Sequence, residues 1–186
     1  MTLPIRGLIA AALLFAADQL TKWAVTGPLG IDHLGASREV AGFFALRFVP
    51  NVGVSLGLLP ADGAATRWAL VAMTGAIAIG VAIWMTRERN RIDQAALGLI
   101  LGGALGNILD RIRFGYVVDF ADLHIADWRP FLVFNVADAA ITVGVLILLA
   151  RAFLTREKTQ TVQATGSHSS AKPSSATMPS SESPHA

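Results

Sequence analysis

Residues 115–144 read GYVVDFADLHIADWRPFLVFNVADAAITVG. A polar segment carrying Asp119, Asp122, His124 and Asp127 gives way near Phe131 to a long apolar run, and Asp138 lies inside that run. A carboxylate in or beside lipid is costly, so each of the two flanking aspartates calls for a partner or a chemical task. Whether the run is a membrane span decides how both are read.

The composition says that it is. Of 186 residues, 53% are hydrophobic and only 15% charged, where a soluble domain carries roughly a quarter charged residues. Net charge is only +2, and the basic residues form no aromatic-basic stripe, so nucleic acid is not an expected partner. Cysteine is absent. That excludes disulfides, thiolate metal sites and a cysteine nucleophile, and leaves no cysteine to lipidate.

Four apolar runs have spanning length, at about residues 5–25, 68–85, 94–112 and 131–149. The first has a second reading as a cleavable signal peptide, with Arg6, an apolar stretch, then Ala16 and Ala17. The Asp18–Lys22 motif that follows favours a retained span. Arg6, the short loop with Arg87, Arg89 and Arg91, and Arg151, Arg156 and Lys158 flank the spans on one side. Short basic flanks face the cytoplasm, which puts both termini inside and residues 26–66 and 113–130 outside. Arg111, Arg113 and Arg129 break the rule. They sit among Asp110, Asp119, Asp122 and Asp127, which suggests site chemistry instead.

In the first outer segment, EVAGFFALRFV alternates: Val40, Phe44, Leu46 and Phe48 on one side, Glu39, Ala41 and Arg47 on the other. That period of two predicts a short strand pair on the membrane surface, broken by Pro50 and NVG. The alternative is an apolar loop among headgroups. From about residue 159 the chain turns to Ser, Thr, Pro, Ala and Gln, which predicts a disordered tail. The expected division is a membrane domain over 1–154 and a tail over 155–186.

The polar residues of the spans gather at one level. Asp18 and Lys22 lie near the outer end of span one, Asn107, Asp110 and Arg111 near that of span three, Asn135 and Asp138 near that of span four. At about 1.5 Å per residue, a span starting at residue 131 would hold Asp138 roughly 10 Å below its start, and Asp18 at similar depth. Asp18 and Lys22 are four apart and share a helix face. Asn107 and Asp110, and Asn135 and Asp138, are three apart. One such pair is ordinary glue between helices. Three converging pairs with Asp119 in the loop above them point to a functional site. Gly102, Gly103 and Gly106 thin one helix face, which permits close packing or leaves room for a substrate.

The chemistry narrows by elimination. Outside the tail the serines are Ser37 and Ser55, neither near a plausible base, and no HExxH occurs. Asp119, Asp122, His124 and Asp127 could bind a metal, yet the spacing fits no common site and an exposed acidic loop explains it as well. A pair of carboxylates remains. Two aspartates sharing one proton can activate water and polarise a carbonyl together.

At this point the motifs DQLTK (18–22), NVG (51–53), GGALGNILDRIRFGYVVDF (102–120) and FNVAD (134–138) can be taken together. With them the chain resembles the signal peptidase II family over about residues 10–150. The resemblance implies an all-α polytopic membrane protein, with four transmembrane helices and a small extracytoplasmic β element. It implies an aspartic endopeptidase of the bacterial inner membrane that cleaves lipid-modified prolipoproteins before the lipidated cysteine, with no metal or organic cofactor. Asp119 and Asp138 would be catalytic. Asp18, Lys22, Asn51, Gly53, Asn107, Asp110, Arg111 and Asn135 would support the substrate. The family pattern after NVG has an aromatic where this chain has Leu56. Expected partners are lipidated prolipoproteins and membrane lipid, with the protein a monomer. A small cation transporter would also use intramembrane carboxylates, but its path should reach both faces, and the inner halves of these spans are bare. An assembly factor would need no paired aspartates.

Overall fold

A computed structural model describes residues 3–53, 63–125 and 128–168. Leu56, Asp127 and residues 169–186 of the tail lie outside them. The element order is α1 (Ile5–Thr26), β1 (Ser37–Ala41), β2 (Phe44–Asn51), α2 (Ala64–Arg87), α3 (Arg91–Phe114), β3 (Val117–Leu123) and α4 (Val136–His168). All four helices contain a stretch long and apolar enough to cross a membrane. Leu13, Met73, Ile77, Ile79 and Leu146 are exposed on them. On helices of this length such side chains form a lipid-facing surface.

α3 is the most enclosed span, 44% buried where the others are 11–22%. Its sequence allows this through Gly98, Gly102 and Gly106, spaced four apart on one face. A Cβ at Gly98 would meet the Gly7 carbonyl of α1, one at Gly102 the Ala11 carbonyl, and one at Gly106 the Asp18 carboxylate. A Cβ at Gly103 would lie 2.6 Å from the Ala137 carbonyl of α4. These glycines let backbones approach closely, which is how membrane helices associate without a hydrophobic drive. They are packing positions and leave no room for a substrate.

α3 also has defined ends. The Asn90 side chain caps its start, accepting from the N–H groups of Ile92 (2.9 Å) and Asp93 (3.3 Å). Gly115 ends it in the left-handed region at φ 88°, where a Cβ would be strained. Arg67, at the start of α2, donates to the Ile112 carbonyl in the last turn of α3 and ties the two helix ends together.

The strands form one antiparallel sheet in the order β1-β2-β3. The expected pair at 39–48 is present as β1 and β2. Phe48 is buried, and Phe44 and Leu46 pack against the same cluster of Val25, Ile31, Val118 and Phe120. Val40 departs from the expected pattern and is exposed. Pro50 does not end the strand: it pairs with Val118 in the β2–β3 register. β1 partners only residues 44–47 of β2, so at Pro50 one edge of β2 is open and the missing N–H costs no ladder bond. β3 corrects the reading of 113–130 as a loop. Val117, Val118 and Phe120, β-branched and aromatic, are the strand formers.

α4 begins at Val136, five residues later than expected. Phe134 pairs instead with Ala121 of β3, donating to and accepting from its backbone. The first compact unit covers residues 1–149, and a second begins at Ala150. α4 runs on to His168, into the segment expected to be irregular. Nothing in the backbone chemistry stops it there, because the first proline after the span is Pro173.

Candidate active site

Two clusters of carboxylates meet at Asn107, which accepts from Lys22 of one and donates to Asp138 of the other. The first is ionic. Lys22 Nζ lies 2.8 Å from Asp18 Oδ2 and 2.7 Å from Asp110 Oδ2, and all three side chains are buried. Asp18 Oδ1 also accepts the Ala137 N–H at 3.0 Å, which satisfies an orphan amide in the first turn of α4. Asp110 Oδ2 accepts the Val118 N–H at 3.2 Å and so anchors β3. Gln19 donates to Asp110 Oδ1 at 3.0 Å and to Asp18 Oδ2 at 3.2 Å. Sequence reasoning passed over Gln19, although it sits in the same DQLTK motif. This cluster joins α1, α3, β3 and α4.

The second cluster is Asp119 on β3 and Asp138 in the first turn of α4, joined through Asn135. Asn135 Nδ2 donates to Asp119 Oδ1 at 2.6 Å. Asn135 Oδ1 accepts the Asp138 N–H at 2.9 Å, and the Asn135 N–H reaches Asp138 Oδ2 at 3.4 Å. This reciprocal pair is a capping box, with Asn135 at the cap and Asp138 three residues on. Asp138 is therefore not roughly 10 Å deep in its span, as a start at residue 131 implied. It stands at the mouth of α4, because the helix starts beyond the Phe134 bridge.

The orientation of the amides follows from groups that can only donate. Lys22 Nζ donates to Asn107 Oδ1 at 3.2 Å, so Asn107 Nδ2 is left to donate to Asp138 Oδ1 at 2.8 Å. The Gly53 N–H donates to Asn51 Oδ1 at 2.8 Å, so Asn51 Nδ2 donates to Asp119 Oδ2 at 2.9 Å. The Asp138 N–H fixes Asn135 in the same way. Lysine and backbone N–H groups have no acceptor alternative. Three asparagines thus present N–H groups to two carboxylates. Gly53 holds its turn at φ 79°, and a Cβ there would lie 3.4 Å from Arg111 Nη2.

Arg111 donates through Nη1 to the Asn107 carbonyl at 3.4 Å, and its buried Nε has no hydrogen-bond partner among the described residues. Its charge lies within electrostatic reach of Asp138, Asp119 and Asp110. Asp119 is 2% exposed. Burial pushes its carboxyl up to about 6, the Asp138 charge adds to the rise, and the bonds from Asn51 and Asn135 oppose it.

Every residue expected at the site is brought into these two clusters or directly against them. Asp122 is different. It was expected in an exposed acidic loop, yet it is 1% exposed on β3. Arg129 Nε lies 3.2 Å from both its oxygens and Arg47 Nε 3.5 Å from one. It serves as an ionic rivet between β2, β3 and the strand-to-α4 connection. Among the described residues no group of three or more His, Cys, Asp or Glu is placed to hold a metal.

Known proteins are similar to this chain in sequence and in fold. The signal peptidase (SPase) II family matches residues 10–154. The chain belongs to the signal peptidase II family. It is 59% identical over 152 residues to the lipoprotein signal peptidase of Sphingopyxis alaskensis, covering 82% of this chain and 87% of that one. It is 56% identical over 151 residues to that of Rhizorhabdus wittichii, covering 81% and 87%. Among solved structures, a bacterial membrane enzyme determined in meso at 2.3 Å resolution superimposes with a TM-score of 0.69 at 27% identity, covering 82% of this chain and 90% of that one. Both carboxylate clusters lie within the first compact unit, and the family match covers nearly all of it.

Proposed function

We propose that this signal peptidase II is an aspartic endopeptidase that removes signal peptides from lipid-modified prolipoproteins, cutting just before the lipidated cysteine. The observation that supports it best is the Asp119–Asp138 pair. Asn135 bridges the two carboxylates, and neither makes an ion pair among the described residues. A carboxylate neutralised by lysine is a structural group. A carboxylate held only by amides stays available for proton transfer.

In this reading the pair holds one proton. The raised Asp119 keeps it below about pH 6, and Asp138, held by the Asn107 amide, carries the charge. Asp138 takes a proton from water as the water oxygen attacks the scissile carbonyl carbon. Asp119 gives its proton to the carbonyl oxygen. The tetrahedral diol then collapses: one hydroxyl returns its proton to Asp119 as the C=O bond re-forms, the C–N bond breaks, and the proton on Asp138 passes to the leaving amine. In the same reading Arg111 and the Asn51–Gly53 turn, which lie next to each other, hold the substrate backbone beside the pair. The chemistry draws on two carboxyl groups and water alone.

The test is cleavage of a purified lipidated prolipoprotein. Asp119→Asn and Asp138→Asn should each lower turnover by at least about 10³-fold, and the double variant should be no worse than either alone. Substantial cleavage by either purified variant would sink the aspartic mechanism.

The proposed setting is the bacterial inner membrane, with both termini cytoplasmic and the pair at the outer face. The basic flanks support it. A cysteine introduced at Asn90 should resist an impermeant thiol reagent in intact cells, and one at Gly63 should react. The reverse pattern would put the pair on the cytoplasmic side.

A further inference from the structure

A cavity of about 200 Å³ opens beside the ionic cluster, and neither Asp119 nor Asp138 lines it. Its floor is the Lys22–Asp110 bridge, already closed on itself. Its walls are Trp23, Phe48, Phe114 and Tyr116, and its rim carries Asp32 and Arg113.

Trp23 lies in the last turns of α1, and Arg113 and Phe114 end α3. Both helices are of spanning length, so the cavity lies at the level of the membrane surface. Tryptophan and tyrosine favour that level. Phe48, Tyr116 and Phe114 are held by one another. Tyr116 meets Phe48 edge-on at 6.1 Å and stacks on Phe114 at 6.0 Å. Arg113 lies over the Phe114 ring at 5.1 Å. The space is below the 300–1,000 Å³ usual for drug-sized ligands, which suits a small headgroup better than a peptide segment.

Aromatic faces with a carboxylate beside them attract an ammonium group. A guanidinium at the same rim attracts a phosphate. We infer that this cavity binds the ammonium-phosphate headgroup of a membrane phospholipid, the ammonium among Trp23, Tyr116 and Asp32 and the phosphate at Arg113. Val118, which lines the cavity, donates its N–H to Asp110 and precedes Asp119 in β3. A bound headgroup would therefore brace the strand that carries one of the pair.

The test reads lipid binding and does not depend on cleavage. The full chain, purified in detergent, is offered phosphatidylethanolamine and phosphatidylglycerol with identical acyl chains, and retained lipid is read by native mass spectrometry. The ethanolamine lipid should be retained at least about fivefold over the glycerol lipid. Asp32→Asn and Trp23→Ala should each remove most of that preference. Both positions are exposed (Trp23 64%), so the variants should keep the wild-type melting temperature. An ethanolamine lipid with a photoreactive headgroup should label residues 22–33 or 113–118. Equal retention of the two lipids, variants that bind as wild type, or labelling spread evenly along the lipid-facing helices would each overturn the assignment.

Discussion

The Asp18–Lys22–Asp110 cluster and the Asp119–Asp138 pair use the same side chain to opposite ends. In the first, one lysine bridges two buried aspartates at 2.8 and 2.7 Å, and the same two carboxylates accept backbone N–H groups of two further elements. Its charges are committed to joining helices to strand. In the second, the donors are amides of Asn51, Asn107 and Asn135. Amides orient a carboxylate without cancelling its charge. The difference lies in the partner, and it separates a group that holds the site from a group free to exchange a proton.

The comparison breaks most visibly if the two clusters respond alike to substitution. Asn at Asp119 or Asp138 should abolish cleavage and leave a stably folded protein. Lys22→Met should do the reverse in order of cause: it leaves two buried carboxylates without their cation and should cost about 3–5 kcal/mol of stability. Thermal unfolding in detergent measures this. Activity, assayed below the lowered melting temperature, should recover in part. A Lys22→Met protein that melts as wild type but cleaves nothing would place Lys22 in the chemistry.

The second contrast is in pH. Asp119 titrates near 6 in the folded protein, above its ordinary value of 3.8. Between those values the folded state binds more protons than the unfolded chain, so this group's contribution to stability declines as pH rises from about 4 to 6 and is level above. Asp119→Asn cannot ionise. The variant should therefore gain on wild type over that interval, by up to about 3 kcal/mol. The gain should be absent below pH 4, apart from a constant offset for the altered hydrogen bonds. A stability difference that does not change with pH would mean that Asp119 titrates normally.

Much of this was legible in the sequence, for reasons that also explain what was not. The four spans are uniform apolar runs, and the motif spacing put Asp18, Lys22, Asn107, Asp110, Asn135 and Asp138 on converging helix ends. The start of α4 was misread because Phe131 to Phe134 are as apolar as the helix that follows. The capping signal Asn135-x-x-Asp138 was the better guide. β3 was misread because its aspartates suggested a polar loop, whereas Val117, Val118 and Phe120 carried the strand signal. Asp122 was misread for a different reason. A buried acid is tolerated only where cations reach it, and Arg47 and Arg129 come together around it only once β2, β3 and the following connection are folded. No local pattern contains that contact.

Asp122 sharpens the comparison as a third case, an acid partnered by two half-exposed arginines. Removing its charge by Asp122→Asn should cost about 2 kcal/mol, the scale of charge-assisted bonds to a buried group. It should lower the melting temperature with little change in turnover per folded molecule. Equal loss of turnover would extend the reacting site along β3 to Asp122.

The smallest effect is the most diagnostic. Asn51 donates to Asp119 Oδ2, and that bond favours the ionised carboxylate. Asn51→Ala removes it and should raise the pH at which Asp119 loses its proton, by less than about one unit. If Asp119 is the proton donor, the active form is the protonated one. The alkaline limb of the kcat/KM profile should then move to higher pH while the acid limb stays in place. If Asp119 is instead the base toward water, the acid limb should move up and the alkaline limb stay. A profile lowered at every pH but unshifted would mean that Asn51 positions the substrate and that its bond is not felt by the reacting proton. The limb that moves assigns the proton within a pair whose titration otherwise belongs to both carboxylates together.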